Sequence, residues 1–174
     1  WNHYATNTYF DQGGRHYNFA KFLAEAGYEP VIFCATTIHN SSQQVNIGGA
    51  LWMENTDSVC PYVFVKTRPY TGNGKQRVLN MVDFYRGVKA AAREYAKVHG
   101  KPNIIYASSV HPLTLVAGIQ MARHFGVKCI CEVRDLWPES IVAYSNRFTK
   151  CHPLIRLFYQ GERWIYTRAD AMIF

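Results

Sequence analysis

Short apolar runs alternate along this chain with longer segments whose apolar residues recur three and four apart. That alternation constrains its fold more than any other feature. Residues 30–34, with Val31, Ile32, Phe33 and Cys34, read as a buried strand, as do 60–66, 104–107 and 127–133. Between them, residues 15–26 place Phe19, Phe22, Leu23 and Ala26 on one helical face. A long helix is expected from Gln76 to His99, with Val78, Met81, Val82, Tyr85, Val88 and Ala92 on its buried side. A third helix starts at Pro112 and runs to Arg123 or His124, almost apolar all round, and a fourth runs from Pro153 to about Arg168. Gly27, Gly100 and Gly126 stand where helices stop. Residues 35–58 read as a long loop or an irregular excursion, 69–74 as turn chemistry, and 171–174 as the start of a further strand. Strands alternating with helices predict an α/β fold, a parallel sheet covered on both faces. Ligands of such folds sit beyond the carboxyl ends of the strands, which directs attention to loops 2–15, 107–112 and 134–140.

The 174 residues, 48% hydrophobic, suffice for one well-packed domain, and no linker or repeat divides 1–174. No apolar stretch is long enough for a membrane span, and the start, Trp1-Asn2-His3-Tyr4, does not read as a signal peptide. The missing initiator Met suggests a trimmed sequence, with a short leading strand lost. Cys34, Cys60, Cys129 and Cys131 fall in or beside apolar runs, as core residues do, and Cys129-x-Cys131 has no second pair at zinc spacing. No metal site is expected, and the default compartment is the reducing cytoplasm.

The net charge of +7 is unevenly spread. Residues 66–101 carry nine basic and two acidic side chains, a local +7, while 147–174 carry five basic and two acidic. Lys75, Arg77, Arg86, Lys89 and Arg93 therefore offer a cationic face for an anionic acceptor or membrane surface, unless they form an ordinary solvated helix face. No nucleic-acid-binding signature accompanies them, so no nucleic-acid partner is expected.

The familiar phosphate motifs fail. Gly72-Asn73-Gly74 continues as Lys75-Gln76-Arg77, and Gly74-Lys75 lacks the Ser or Thr of a Walker loop. Gly13-Gly14 remains, a pair directly before a helix, suited to a phosphate or to a simple turn. His111, before Pro112, stands at the mouth of a strand-to-helix crevice; a helix cap or a core histidine fits the same position. Arg134-Asp135-Leu136-Trp137-Pro138-Glu139-Ser140 sets charges directly after an apolar strand, which suits either a site or a structural ion pair. His3 and His16 flank the first loop; His39, His99, His124 and His152 read as surface or capping residues. In the last helix, Leu154, Leu157, Phe158 and Ile165 are expected to pack on the sheet. The alternative is an interfacial helix, with Arg156, Arg163 and Arg168 near Trp164 and Phe158.

Taken together, N-H-Y-A (2–5), G-G-R-H-Y (13–17), Y-T-G-N-G (70–74) with R-V-L-N-M (77–81), S-S-V-H-P-L-T (108–114) and R-D-L-W-P-E-S (134–140) follow one family's order. The set resembles the amino-terminal half of bacterial family 4 glycosyltransferases, nearest the fucosamine-transferase-like branch that builds O-antigen and capsule. The resemblance implies a Rossmann-like domain of the GT-B architecture and metal-free transfer, with retention, from a nucleotide-sugar donor to a lipid-linked or glycan acceptor. It places Gly13 and Gly14, with Arg15, at the donor diphosphate and His111, as a catalytic residue, at the transferred sugar. Arg134 and Asp135 line the acceptor side, where Arg134 binds substrate and Asp135 serves catalysis. The family's carboxy-terminal domain, with its nucleotide pocket and E-x7-E glutamates, is absent from these 174 residues, so this portion alone is expected to be inactive. Expected partners are the donor, the acceptor and, peripherally, the cytoplasmic face of an anionic membrane. Rival readings are a nicotinamide-dependent oxidoreductase, which lacks its glycine fingerprint here, and a non-catalytic binding module.

Overall fold

The computed structural model describes residues 1–39, 41, 43–72, 74–144 and 148–174; Asn73 of the Y-T-G-N-G motif lies outside the described residues. The chain forms two compact units, Trp1–Lys101 and Pro102–Phe174.

The first unit contains α1 (Thr6–Phe10), α2 (Arg15–Glu25), β1 (Ile32–Ala35), β2 (Trp52–Asn55), β3 (Tyr62–Val65) and α3 (Lys75–His99). β1 and β3 pair in parallel, Ile32 opposite Tyr62, and every residue of both strands is buried. Burial on both faces is why these runs are apolar without alternation. Ile32, Cys34, Tyr62 and Phe64 pack with Ala5 and Ala20. On α3, Phe84, Val88 and Ala91 are fully buried. Gly87 brings α3 close to the sheet, since a Cβ there would lie 2.5 Å from Val65 Cγ1. Ahead of α1, the Asn2 N–H donates to the Phe33 carbonyl and the Ala35 N–H to the His3 carbonyl, so residues 2–3 run alongside β1.

Several expectations change in this unit. The expected loop at 35–58 contains β2, which runs antiparallel to β3, so the sheet order β1-β3-β2 is mixed rather than purely parallel. Its half-buried Trp-Met-Glu-Asn sequence shows neither an apolar run nor clean alternation. Loop 2–15 contains the short helix α1. In α2 the periodic face is not the covered one: Phe19, Phe22 and Leu23 are exposed, and His16 and Ala20 are buried instead. Val78 also points outward, 57% exposed, because α3 turns Met81, Phe84 and Val88 to the sheet.

The second unit contains β4 (Ile104–Ser109), α4 (Pro112–Phe125), β5 (Lys128–Val133), α5 (Glu139–Tyr144), α6 (Pro153–Tyr166) and β6 (Ala171–Ile173). Its sheet, β4-β5-β6, is parallel throughout. Pro112 opens α4 as expected, and Gly126, at φ 68°, closes it in the left-handed conformation. Gly118 lets α4 seat on the sheet: a Cβ there would lie 2.6 Å from Ala107 Cβ. Cys129 and Cys131 are buried, with sulfurs 3.8 Å apart, and Asp170 accepts the Cys129 N–H at 2.8 Å just before β6. In α6, Ile155 and Ile165 are buried while Leu154 and Leu157 are exposed, which corrects the expectation that the latter two pack on the sheet. The short helix α5 went unanticipated.

Candidate functional site

In the first unit, polar side chains gather where β1 and β3 end, as expected for a parallel α/β sheet. Thr36 and Thr37 follow β1 and Thr67 follows β3; all three are buried. The Thr67 hydroxyl lies 3.4 Å from that of Thr36 and 3.3 Å from that of Thr37. Asn80, reaching in from α3, donates to the Thr37 hydroxyl at 3.2 Å and to the Arg68 carbonyl at 2.6 Å. These bonds satisfy polar groups that would otherwise be costly to bury. They also fix the two strand-end loops against one another.

Above this base stands a column of rings. Phe84 and His3 stack at 4.5 Å with their planes 1° apart, His3 stacks on Tyr4 at 4.5 Å, and Tyr4 stacks on His39 at 4.3 Å. His39 shares a hydrogen bond with the Tyr70 phenol at 2.8 Å, and its backbone N–H donates to Asn7 Oδ1. Arg77 Nε donates to the Tyr4 phenol at 3.1 Å. His39 is therefore not the surface or capping residue expected from its polar surroundings. Burial first, and the nearby Arg77 charge second, hold its pKa below the ordinary value of 6.5. Burial likewise pushes the Tyr70 phenol up, so it keeps its proton. Beside the column, an open depression of about 610 Å³ is lined by Asn7, Phe10, Asp11, Ile38, Gln43 and Gln44.

Gly13 and Gly14 follow α1, and Gly14, at φ 86°, is the residue before α2. A side chain there would be strained, and its Cβ would lie 3.3 Å from Thr8 Cγ2. Arg15, the first residue of α2, is exposed. Of the basic set, Lys75, Arg86 and Arg93 are exposed and the Lys89 ammonium lies 3.7 Å from the Tyr85 ring centroid. Arg77 departs from them by turning to Tyr4. Arg68 forks onto Asp83 at 2.6 and 3.0 Å. Burial pushes the Asp83 carboxyl up, but the Arg68 bonds and the charges of Arg68 and Arg86 outweigh it and hold the pKa below its usual value.

In the second unit, His111 and the pair Arg134–Asp135 come to one edge, because β4 and β5 are parallel neighbours that end together at Ser109 and Val133. The Arg134 N–H donates to Ser109 Oγ at 3.3 Å. His111 is the N-cap residue of α4, yet its side chain makes no cap bond; it is buried with Ser108, Ser109, Thr114 and Glu132. Arg134 and Asp135 are exposed. His152 does cap a helix: its Nδ1 accepts from the Leu154 N–H. No group of three or more potential metal-ligating side chains occurs among the described residues. No helix among them is long and apolar enough to cross a membrane.

The comparisons with known proteins bear on this arrangement. The family model described as a glycosyl transferase 4-like domain matches residues 13–174. The chain belongs to this glycosyl transferase 4-like family. A solved structure of sucrose-phosphate synthase from Thermosynechococcus elongatus is similar at a TM-score of 0.61 and 18% identity, over 92% of this chain and 36% of that one. The glycosyl transferase 4-like chain thus spans little more than a third of that protein, and at this identity the likeness establishes the fold: a Rossmann-like half of the GT-B type. No curated protein sequence matches.

Proposed function

We propose that this glycosyl transferase 4-like chain is the acceptor-side half of a retaining glycosyltransferase. In this reading it helps move a sugar from a nucleotide-sugar donor to a lipid-linked or glycan acceptor during cell-surface polysaccharide assembly, in the fucosamine-transferase-like branch. The family match over residues 13–174 carries the reading. The enzyme works in the cytoplasm, at the inner face of the membrane, and needs no metal.

Each group has a part to play. Gly13 and Gly14 expose backbone N–H groups at the start of α2, where a diphosphate is favoured by the helix dipole, and Arg15 adds charge. Arg134 and Asp135 are exposed at the end of β5, free to meet substrate. Asp135 orients or deprotonates an acceptor hydroxyl, and Arg134 holds an anionic group of the substrate. His111 faces the transferred sugar from the floor of its strand edge rather than the rim, because it is buried. In the first unit, Tyr4, His39, Tyr70 and Arg77 present phenols, an imidazole and a guanidinium suited to acceptor hydroxyl and phosphate groups. The exposed Lys75, Arg86 and Arg93, with Lys89, attract a lipid-diphosphate acceptor electrostatically.

The test is turnover of a panel of nucleotide sugars with lipid-diphosphate acceptors. The 174 residues alone are expected to give none, and addition of a second, nucleotide-binding domain to restore it, unaffected by a metal chelator. Turnover by this portion alone overturns the half-enzyme assignment. Hydride transfer to or from a nicotinamide cofactor would overturn the transferase assignment itself.

A further inference from the structure

We propose that the depression beside α1 is a subsite for an uncharged sugar ring of the acceptor, so that the molecule to be extended already carries at least one sugar. The proposal rests on the acceptor-side reading above and narrows it.

The depression has two walls. One is α1 and the residue after it, with Asn7, Phe10 and Asp11; the other follows β1, with Ile38, Gln43 and Gln44. Backbone bonds hold both in place. The His39 N–H donates to Asn7 Oδ1 at 3.1 Å, which ties one wall to the other. Thr37 and Gln44 form an antiparallel bridge, and the Ile38 N–H donates to the Gln43 carbonyl at 3.2 Å. The Asp11 N–H donates to the Asn7 carbonyl at 2.9 Å and closes α1. At about 610 Å³ the space falls within the roughly 300–1,000 Å³ of small-molecule sites.

The lining selects the ligand. Phe10 is 53% exposed, so its ring offers an apolar platform. The C–H face of a pyranose carries the slight positive charge that such a ring face attracts. Asn7, Gln43 and Gln44 supply carboxamides, which both donate and accept, as sugar hydroxyls do. The Asn7 oxygen is taken by His39, so its NH2 group is left to donate. Charge narrows the choice further. Asp11 is exposed, and no Lys or Arg lines the depression among the described residues. A phosphate or a uronic acid would meet that carboxylate with no cation to offset it. The reading above assigns the transferred sugar to His111, in the second unit, so a ring held by the first unit is the acceptor's.

NMR of the isotope-labelled 174-residue chain, followed at its side-chain carboxamides, tests this. The probes are methyl glucoside, methyl N-acetylglucosaminide and methyl glucuronide. At least one of the two uncharged glycosides is expected to move the Asn7, Gln43 and Gln44 NH2 signals, and the glucuronide to bind about fivefold more weakly. Phe10→Ala should weaken binding by about fivefold. Asp11→Asn should bring the glucuronide up to the level of the uncharged glycosides. Both residues are exposed, so the variants should fold; if Phe10→Ala disturbs the backbone spectrum, Phe10→Leu replaces it and should still weaken binding. Silence of these signals toward both uncharged glycosides, equal binding of the glucuronide by the wild type, or indifference to the Phe10 variant overturns the proposal. So does a nucleotide sugar that moves the same signals at lower concentration than the glycosides, since the ring held there would then be the donor's. None of these readouts needs turnover, so a failed subsite leaves the transferase reading standing, and failed turnover is seen separately.

Discussion

The phenol of Tyr70 and Nδ1 of His39 share a hydrogen bond of 2.8 Å, joining the loop after β3 to the loop after β1. The bond sets a direction for pH. Burial and the Arg77 charge lower the folded pKa of His39 from 6.5. Between the folded value and 6.5 the unfolded chain therefore holds the extra proton, and stability falls as pH drops. Above about 6.5 the ring is neutral in both states and nothing is lost. Urea unfolding midpoints should fall between pH 7.5 and 5, and His39→Gln should remove part of that fall. A larger pH dependence in the variant would contradict the assignment.

The two helix glycines that face sheets should resist substitution. A Cβ on Gly87 would meet Val65 Cγ1 at 2.5 Å, and one on Gly118 would meet Ala107 Cβ at 2.6 Å. Overpacking of this kind costs about 1–3 kcal/mol, more than the roughly 1 kcal/mol that Ala gains over Gly in a helix. Thermal unfolding of Gly87→Ala and Gly118→Ala should show lower Tm, by about 2–4 °C for each kcal/mol lost. By contrast, Gly161 has nothing within 4 Å of a would-be Cβ, so Gly161→Ala should hold or raise Tm.

Asp135 is exposed and makes no hydrogen bond or ion pair with a described residue. Its replacement should therefore leave stability within about 0.5 kcal/mol of the parent. In the whole enzyme, Asp135→Asn should nevertheless lower turnover by about 10²–10⁴-fold, as loss of general-base help does. Normal turnover with a sharply lower Tm would make the residue architectural instead.

The Arg68–Asp83 fork ties the loop after β3 to α3. Because the folded carboxyl is held below its usual 3.8, its contribution is present above that pH and disappears as pH falls through the folded value. Asp83→Asn should be less stable than the parent at neutral pH, and the gap should close in strong acid. An unchanged gap at pH 2 would show that the fork acts through packing alone.

The sequence displayed its punctuation clearly and its partnerships poorly. Pro112, Pro153, Gly27, Gly100 and Gly126 act locally, through fixed or permissive φ, so the ends of α2, α3, α4 and α6 were legible within a residue or two. Periodicity revealed that Phe19, Phe22 and Leu23 share a face but not that the face is uncovered, because covering depends on distant segments. β2 escaped because antiparallel pairing with β3, not composition, makes it a strand. At the candidate site, Gly13–Gly14, His111 and Arg134–Asp135 stood out as loop residues after strands. His39 did not: its neighbours in space, Tyr4 and Tyr70, lie 35 and 31 residues away in the chain. The signal available was that Tyr4, Tyr70 and Arg77 all fell in segments carrying the family resemblance.

The antiparallel strand β2 also bears on the order in which the first unit assembles. Tyr62 pairs with Asn55, seven residues before it, and with Ile32, thirty before it. Closing the longer loop costs about 1.3 kcal/mol more in chain entropy. The β2–β3 ribbon is thus the cheaper pairing to close, and the parallel β1–β3 ladder the dearer one. A strand that sequence patterning passes over in this way makes the more local of the two pairings.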